Sequence, residues 1–191
     1  MNPRGPETPR PGPRDLVLTP LGLRFMGRRF PCAIGRGGIR HAKREGDGAT
    51  PAGCHRIVAL LYRPDRIPRA ALPRWALPLT PRDHWCDDPG HNDYNQLVTA
   101  PHPASTEALR RADPLYDLIL TTNWNWPLAH PGRGSAIFIH TWRRPRYPTA
   151  GCVALARSDL LWIARRVTYE TRLFAAPLPM APRRAAAKRS V

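Results

Sequence analysis

Two side chains in the last third of the chain, His140 and Cys152, stand twelve positions apart and have the chemistry for acyl transfer. Cysteine is a strong nucleophile only as its thiolate, and a free pKa near ~8.5 keeps most of it protonated at neutral pH. An adjacent imidazole supplies the activation. All seven histidines precede Cys152, so a papain-like order, cysteine first and histidine far downstream, is excluded for it. The residues leave a His-then-Cys site. In that scheme His140 first holds the thiolate as an ion pair, then protonates the leaving amine and deprotonates the incoming one. Backbone N–H groups at Gly151 and Cys152 are the natural oxyanion donors, because glycine lets the backbone come close.

Between base and nucleophile lie Arg143, Arg144 and Arg146. One of these guanidinium groups can fork onto a substrate carboxylate, and a solvated basic loop is the plainer alternative. Residues 83–95 carry His84, Cys86, Asp87, Asp88 and His91, but their spacing matches no standard zinc pattern, so no metal is expected. No phosphate-cradling motif occurs, and no cofactor is expected. The four cysteines do not show the spacings of a small disulfide framework. Cys32 and Cys54 read as buried small hydrophobes, and Cys86 as exposed or paired.

The elements that position these groups are short. The 24 prolines and 14 glycines argue for many turns and against a helical bundle. Residues 135–139 read as a buried strand with His140 at its end, and residues 156–167 as a helix. Ser158 can cap that helix, with Leu160, Leu161, Ile163 and Ala164 on its inner face. Strands are expected over residues 15–19, 21–26, 29–34, 55–62, 115–121 and 167–174. Residues 46–48 form a turn that 50–53 continue, 63–81 run extended, and 83–95 form a polar, aromatic loop. Residues 105–113 open with capping chemistry and read as a short helix. The fold class is mainly β, a sandwich or barrel-like pair of sheets with a few short α-helices and the site at one sheet edge.

With 191 residues the chain is long enough for one domain with a real core. Residues 1–14 and 179–191 read as disordered tails, rich in Pro and Arg at the start and basic at the end, around a domain over 15–178. Thirty Lys and Arg against fourteen Asp and Glu give a net charge of +16. Such a surface draws polyanions, whether nucleic acid, anionic membrane or a carboxylate-rich cell wall. A basic nucleic-acid-binding protein would account for the charge and for Trp124 and Trp126. It gives Cys152 no role, and no nucleic-acid-binding motif supports it, so no nucleic acid is expected. No signal peptide and no membrane span are visible in the sequence. The oligomeric state is left open.

The run from His140 to Thr149, Ala150, Gly151, Cys152 and Val153 resembles the signature of the L,D-transpeptidase (YkuD-type) catalytic domain. That family carries a histidine, a loop, then Ser-His-Gly-Cys. Cys32 to Gly35, Lys43 to Gly53 (KREGDGATPAG) and Tyr94 with Asn95 are similar to one branch of it. Here Thr149 replaces the usual serine, Ala150 the second histidine and Ala154 an arginine. The resemblance spans roughly residues 15–175. It implies a peptidoglycan L,D-transpeptidase, an acyltransferase that cross-links stem peptides through a thioester on Cys152. The bond formed is 1,3-type (L-alanine to diaminopimelate) or 3,3-type. Catalytic Cys152, His140 and Gly151 would be flanked by substrate-binding Thr149, Tyr94, Asn95, Arg143, Arg144, Arg146 and Tyr147. The glycine-rich loop around Asp47 would lie beside the site, and the setting implied is periplasm or cell wall. An L,D-carboxypeptidase uses the same thioester with water as acceptor. A sortase-like transpeptidase shares the His-then-Cys order but wants a more distant histidine and a downstream arginine.

Overall fold

The computed structural model describes residues 9–177. In chain order the strands are β1 (Leu16–Thr19), β2 (Gly22–Phe25), β3 (Arg28–Phe30), β4 (Cys32–Ala33), β5 (Ile39–Arg40), β6 (Thr50–Pro51) and β7 (Gly53–Tyr62). After a 3-10 turn at Arg69–Ala71 come β8 (Leu77–Pro78), β9 (Asp83–Cys86), β10 (Leu97–Thr99), β11 (Thr106–Ala108) and β12 (Leu118–Thr122). The chain closes with β13 (Phe138–Thr141), β14 (Val153–Leu155), the helix α1 (Arg157–Ala164) and β15 (Arg172–Ala175). The mainly β expectation holds.

One sheet dominates, in the order β3-β2-β1-β15-β7-β12-β13-β14-β4, with β8 added beside β7. Its spine is β7, paired antiparallel with both β12 and β15. The path ends at β3 and β4, which are separated in sequence only by Pro31, so the sheet curls into a nearly closed barrel. Proline has no N–H to give a ladder, which is why the single strand expected over residues 29–34 breaks there. Asp15 and Arg172 tie the two ends of the domain together through an ion pair at 2.6 Å. Apolar residues on one face of the strands fill the barrel with Leu160, Ile163, Ala164 and Val167.

A second core lies on the other face of β12 and β13. Leu61, Ile119 and Phe138 there meet Trp85, Leu109 and Tyr116, under a three-stranded sheet in the order β10-β9-β11. Because neighbouring residues of a strand face opposite sides, β12 is buried on both faces and reads as one apolar run. Trp85 packs edge-on against Phe138, with ring centroids 4.9 Å apart. This second core carries the candidate site.

Several local expectations are corrected. Residues 105–113 are not a helix. Thr106–Ala108 pair with β9 as β11, and Thr106 Oγ1 meets His84 Nδ1 at 2.9 Å across the strands. A nine-residue helix is marginal without tertiary support, and here the tertiary partner is a strand. Residues 83–86, expected in a loop, supply that strand. The last strand begins at Arg172, because Thr168 and Thr171 first close a turn on each other at 3.0 Å. Helix α1 starts after Ala156 with no side-chain cap, so Ser158 lies inside it. Cys86 is fully buried and free, neither exposed nor paired. Cys32 and Cys54 are half-buried. Of the expected N-terminal tail, residues 9–14 are held at the domain edge, with Gly12 N–H donating to Asp15 at 2.7 Å. Residues 1–8 and the expected tail over 179–191 lie outside the described residues.

Candidate active site

Strands β13 and β14 run parallel, with Ile139 opposite Val153 and His140 opposite Ala154. Alternation sends Ile139 and Val153 into the barrel and turns His140 to the other face with Phe138. Cys152, one residue before β14, shares that face and packs on the second core. The parallel register therefore brings His140 and Cys152 to one wall, and the small, fully buried Ala154 lies opposite the imidazole. Residues 142–152 are the crossover that a parallel pair requires.

The thiol of Cys152 is held by backbone. It donates to Ala136 O at 3.0 Å and accepts from Phe138 N–H at 3.4 Å. Burial pushes its pKa up to about 12, and the carboxylate of Glu107 adds to the rise. His140 Nδ1 lies 2.8 Å from Thr141 O, which makes Nδ1 the protonated nitrogen and leaves Nε2 as the base. Burial pushes His140 down to about 4. The two groups are therefore a neutral thiol and a neutral imidazole, not the ion pair expected. The Tyr116 ring stands edge-on to the imidazole at 5.3 Å, and its hydroxyl donates to Glu107 at 3.0 Å.

The turn before the nucleophile is built around Gly151. Its φ is +151°, and a Cβ there would lie 3.0 Å from Ala49 O and 3.1 Å from Ile137 Cδ1. Thr50 Oγ1 donates to Gly151 O at 2.7 Å. Thr149 Oγ1 accepts the Gly151 N–H at 3.1 Å and donates to Cys152 O at 2.6 Å. The Gly151 N–H expected at an oxyanion is thus directed to Thr149 in the ligand-free state, and Thr149 shapes the turn.

A cavity of about 710 Å³ opens over these groups. Of the expected site residues, His140, Cys152, Gly151, Thr149, Arg143 and Tyr147 line it. Lys43, Glu45, Gly46 and Gly48 line it too, as the resemblance implied for their loop. The remaining four lie elsewhere. Arg144 stacks on Tyr147, its guanidinium carbon 4.1 Å from the ring centre, and Arg146 is exposed. Tyr94 is buried and anchors the glycine-rich loop by donating to Glu45. Asn95 is 1% exposed. It accepts from Trp85 Nε1 at 3.0 Å and Ala136 N–H at 2.9 Å, and donates to Trp124 O at 3.1 Å and Asn125 O at 2.7 Å. Asn95 fastens the backbone at Ala136, the residue that receives the Cys152 thiol. Sequence reasoning missed Glu107, Arg111, Tyr116 and Arg36 as lining residues. No local pattern marks them, since the first three are brought in by the small sheet and the loop after it.

The candidate metal residues of 83–95 are not assembled as a set. His84 bonds Thr106 and Cys86 is in the interior. His91, Asp93 and His102 come together instead, their ligand atoms within 4.8 Å of one another. Both Nδ1 atoms there accept backbone N–H groups, and Asp93 bridges the rings at 3.5 and 3.2 Å. Among the described residues, no helix is long and apolar enough to cross a membrane.

No curated protein and no solved structure matches the chain. The model of the L,D-transpeptidase catalytic domain family matches residues 26–175, a span from the end of β2 to the end of β15. That span takes in the strands β3 to β15, the cavity and the pair His140 and Cys152, and the chain belongs to the YkuD L,D-transpeptidase catalytic domain family.

Proposed function

We propose that this protein is a cysteine L,D-transpeptidase that forms cross-links between peptidoglycan stem peptides through a thioester on Cys152. The observation that carries the reading is the shared face of β13 and β14, where His140 and Cys152 open into one cavity within the span matched to the family. The family acts on peptidoglycan stem peptides and typically works in the cell wall or periplasm, which supports a substrate of that class.

The chemistry follows from the protonation states. As Cys152 Sγ bonds to the carbonyl carbon at the L-centre, its proton passes to His140 Nε2 and the carbonyl oxygen takes the charge. The Cys152 N–H stabilises that oxygen. The C–N bond then breaks, and the leaving amine takes the proton from His140. The thioester remains. An acceptor amine attacks it, loses a proton to His140, and the departing thiolate recovers that proton as the new amide forms. Arg143 lines the cavity, and in this reading its guanidinium forks onto a stem-peptide carboxylate. Ala150 leaves space where relatives hold an imidazole, which allows a donor shifted toward the first stem residue. Both 1,3-type and 3,3-type dimers are accessible to the same thioester.

Incubation with purified wall muropeptides tests this. The protein gains the mass of an acyl donor on Cys152, cross-linked dimers appear, and tandem mass spectrometry assigns the bond. Cys152→Ala, folded, yields neither. Turnover surviving in folded Cys152→Ala would overturn the mechanism.

A further inference from the structure

The charges of the cavity differ in how they are committed. Lys43 is tied to Asp47 at 2.7 Å and to Arg44 O, and Glu45 receives the Tyr94 hydroxyl. Arg111 spends its fork on Asp113, at 2.8 and 3.0 Å, and only grazes Glu107 at 3.7 Å. Glu107 keeps a carboxylate whose one close partner is the neutral Tyr116 hydroxyl. It stands on β11, opposite Trp85 of β9, in the wall that faces Cys152. Asp87, further along β9's edge, lines the same wall, and no side-chain partner engages it among the described residues. In a chain with a net charge of +16, an acid beside the nucleophile is costly for the thiol chemistry. Like charge makes the thiolate harder to form, adding to the rise that burial already imposes on Cys152. A group that opposes the first half of the reaction has its use in the second.

We infer that Glu107 selects the acyl acceptor, binding its attacking amine in the ammonium form in the cavity between β11 and Cys152. The inference rests on the transpeptidase reading and deepens it. Stem-peptide acceptors carry a primary amine that is protonated at neutral pH, while water, the competing acceptor, carries no charge. Glu107 holds the ammonium against the β11 wall. As the nitrogen turns to the thioester, Glu107 takes the extra proton and releases it to solvent. The neutral amine then attacks, its second proton passing through His140 to Cys152 Sγ as the C–S bond breaks. Atoms and charge balance without a co-reactant. Burial raises the proton affinity of Glu107, which suits it to that exchange.

The test compares two small nucleophiles of similar size on the thioester formed from a stem tetrapeptide. Methylamine is an ammonium at neutral pH, and hydroxylamine is uncharged. The ratio of their capture rates, read from products by mass spectrometry, falls at least about tenfold in Glu107→Gln, the scale of one charge-assisted hydrogen bond. Tyr116→Phe, which removes the hydroxyl but keeps the carboxylate, retains the wild-type ratio. If Glu107→Gln slows both captures equally, Glu107 acts only by holding Tyr116 beside His140, and the inference is overturned. Absence of any thioester on wild-type Cys152 would instead remove the transpeptidase reading, and the acceptor role with it.

Discussion

Replacing Asn95 by alanine tests whether the backbone behind the nucleophile depends on one side chain. Asn95 is 1% exposed and all its hydrogen-bonding groups are engaged, with distances between 2.7 and 3.1 Å. Alanine leaves two donors without an acceptor, Trp85 Nε1–H and Ala136 N–H. The carbonyls of Trp124 and Asn125 count for less, because a carbonyl short of a partner is tolerated better than an orphaned N–H. Two orphaned donors cost ~1–3 kcal/mol each. The φ of +60° at Asn95, which asparagine tolerates better than alanine, adds ~1 kcal/mol. The sum is about 3–7 kcal/mol, a large share of the ~5–15 kcal/mol of a typical domain. With a urea slope near ~3 kcal/mol/M, the upper end of the usual range for a domain of this size, the unfolding midpoint falls by about 1–2 M. Asn95→Asp keeps both acceptor bonds but sets a carboxylate oxygen against two carbonyls, and falls between. A midpoint for Asn95→Ala within about 0.3 M of wild type would refute the reasoning and return Asn95 to the substrate-binding role implied by resemblance.

Two further outcomes follow from the site geometry. His140 stays neutral down to about pH 4 when folded, against 6.5 as its ordinary value. Between those limits the unfolded chain binds a proton that the folded one refuses, so stability falls as pH drops through that window, by ~3 kcal/mol in all. His140→Asn removes that share from a urea series at stepped pH. His55, also lowered by burial, leaves a residual slope of the same sign. Gly151→Ala places a methyl 3.0 Å from Ala49 O at a φ of +151°, so we expect ~1–3 kcal/mol of destabilisation and loss of thioester formation, both read on the purified variant. An undiminished acylation rate there would show that the turn has another route to the same geometry.

Local chemistry is what the linear chain conveys well. Histidine before cysteine at twelve positions, the Gly-Cys turn and the apolar runs of β7, β12 and β13 depend on neighbours in sequence, so they were legible without coordinates. Proline and glycine, which act on their own φ, announced many short elements and a mainly β chain. Residues 105–113 show the limit. Their capping pattern suited a helix, but β9 offered unpaired backbone, and a strand partner decides what propensity leaves marginal. That pairing put Glu107 in the active-site wall instead of on a helix surface. Asn95 is the same lesson at one residue, since its type was noticed but its partners at Trp85, Trp124, Asn125 and Ala136 only meet in the fold. The protonation states went the same way. A histidine and a cysteine suggested an ion pair, and burial between two sheets made both neutral. The sequence determined which groups carry the proposed chemistry and in what order they stand along the chain. The tertiary structure decided their charge, their support and the acid that faces them, because desolvation and strand pairing are set by residues far apart in sequence.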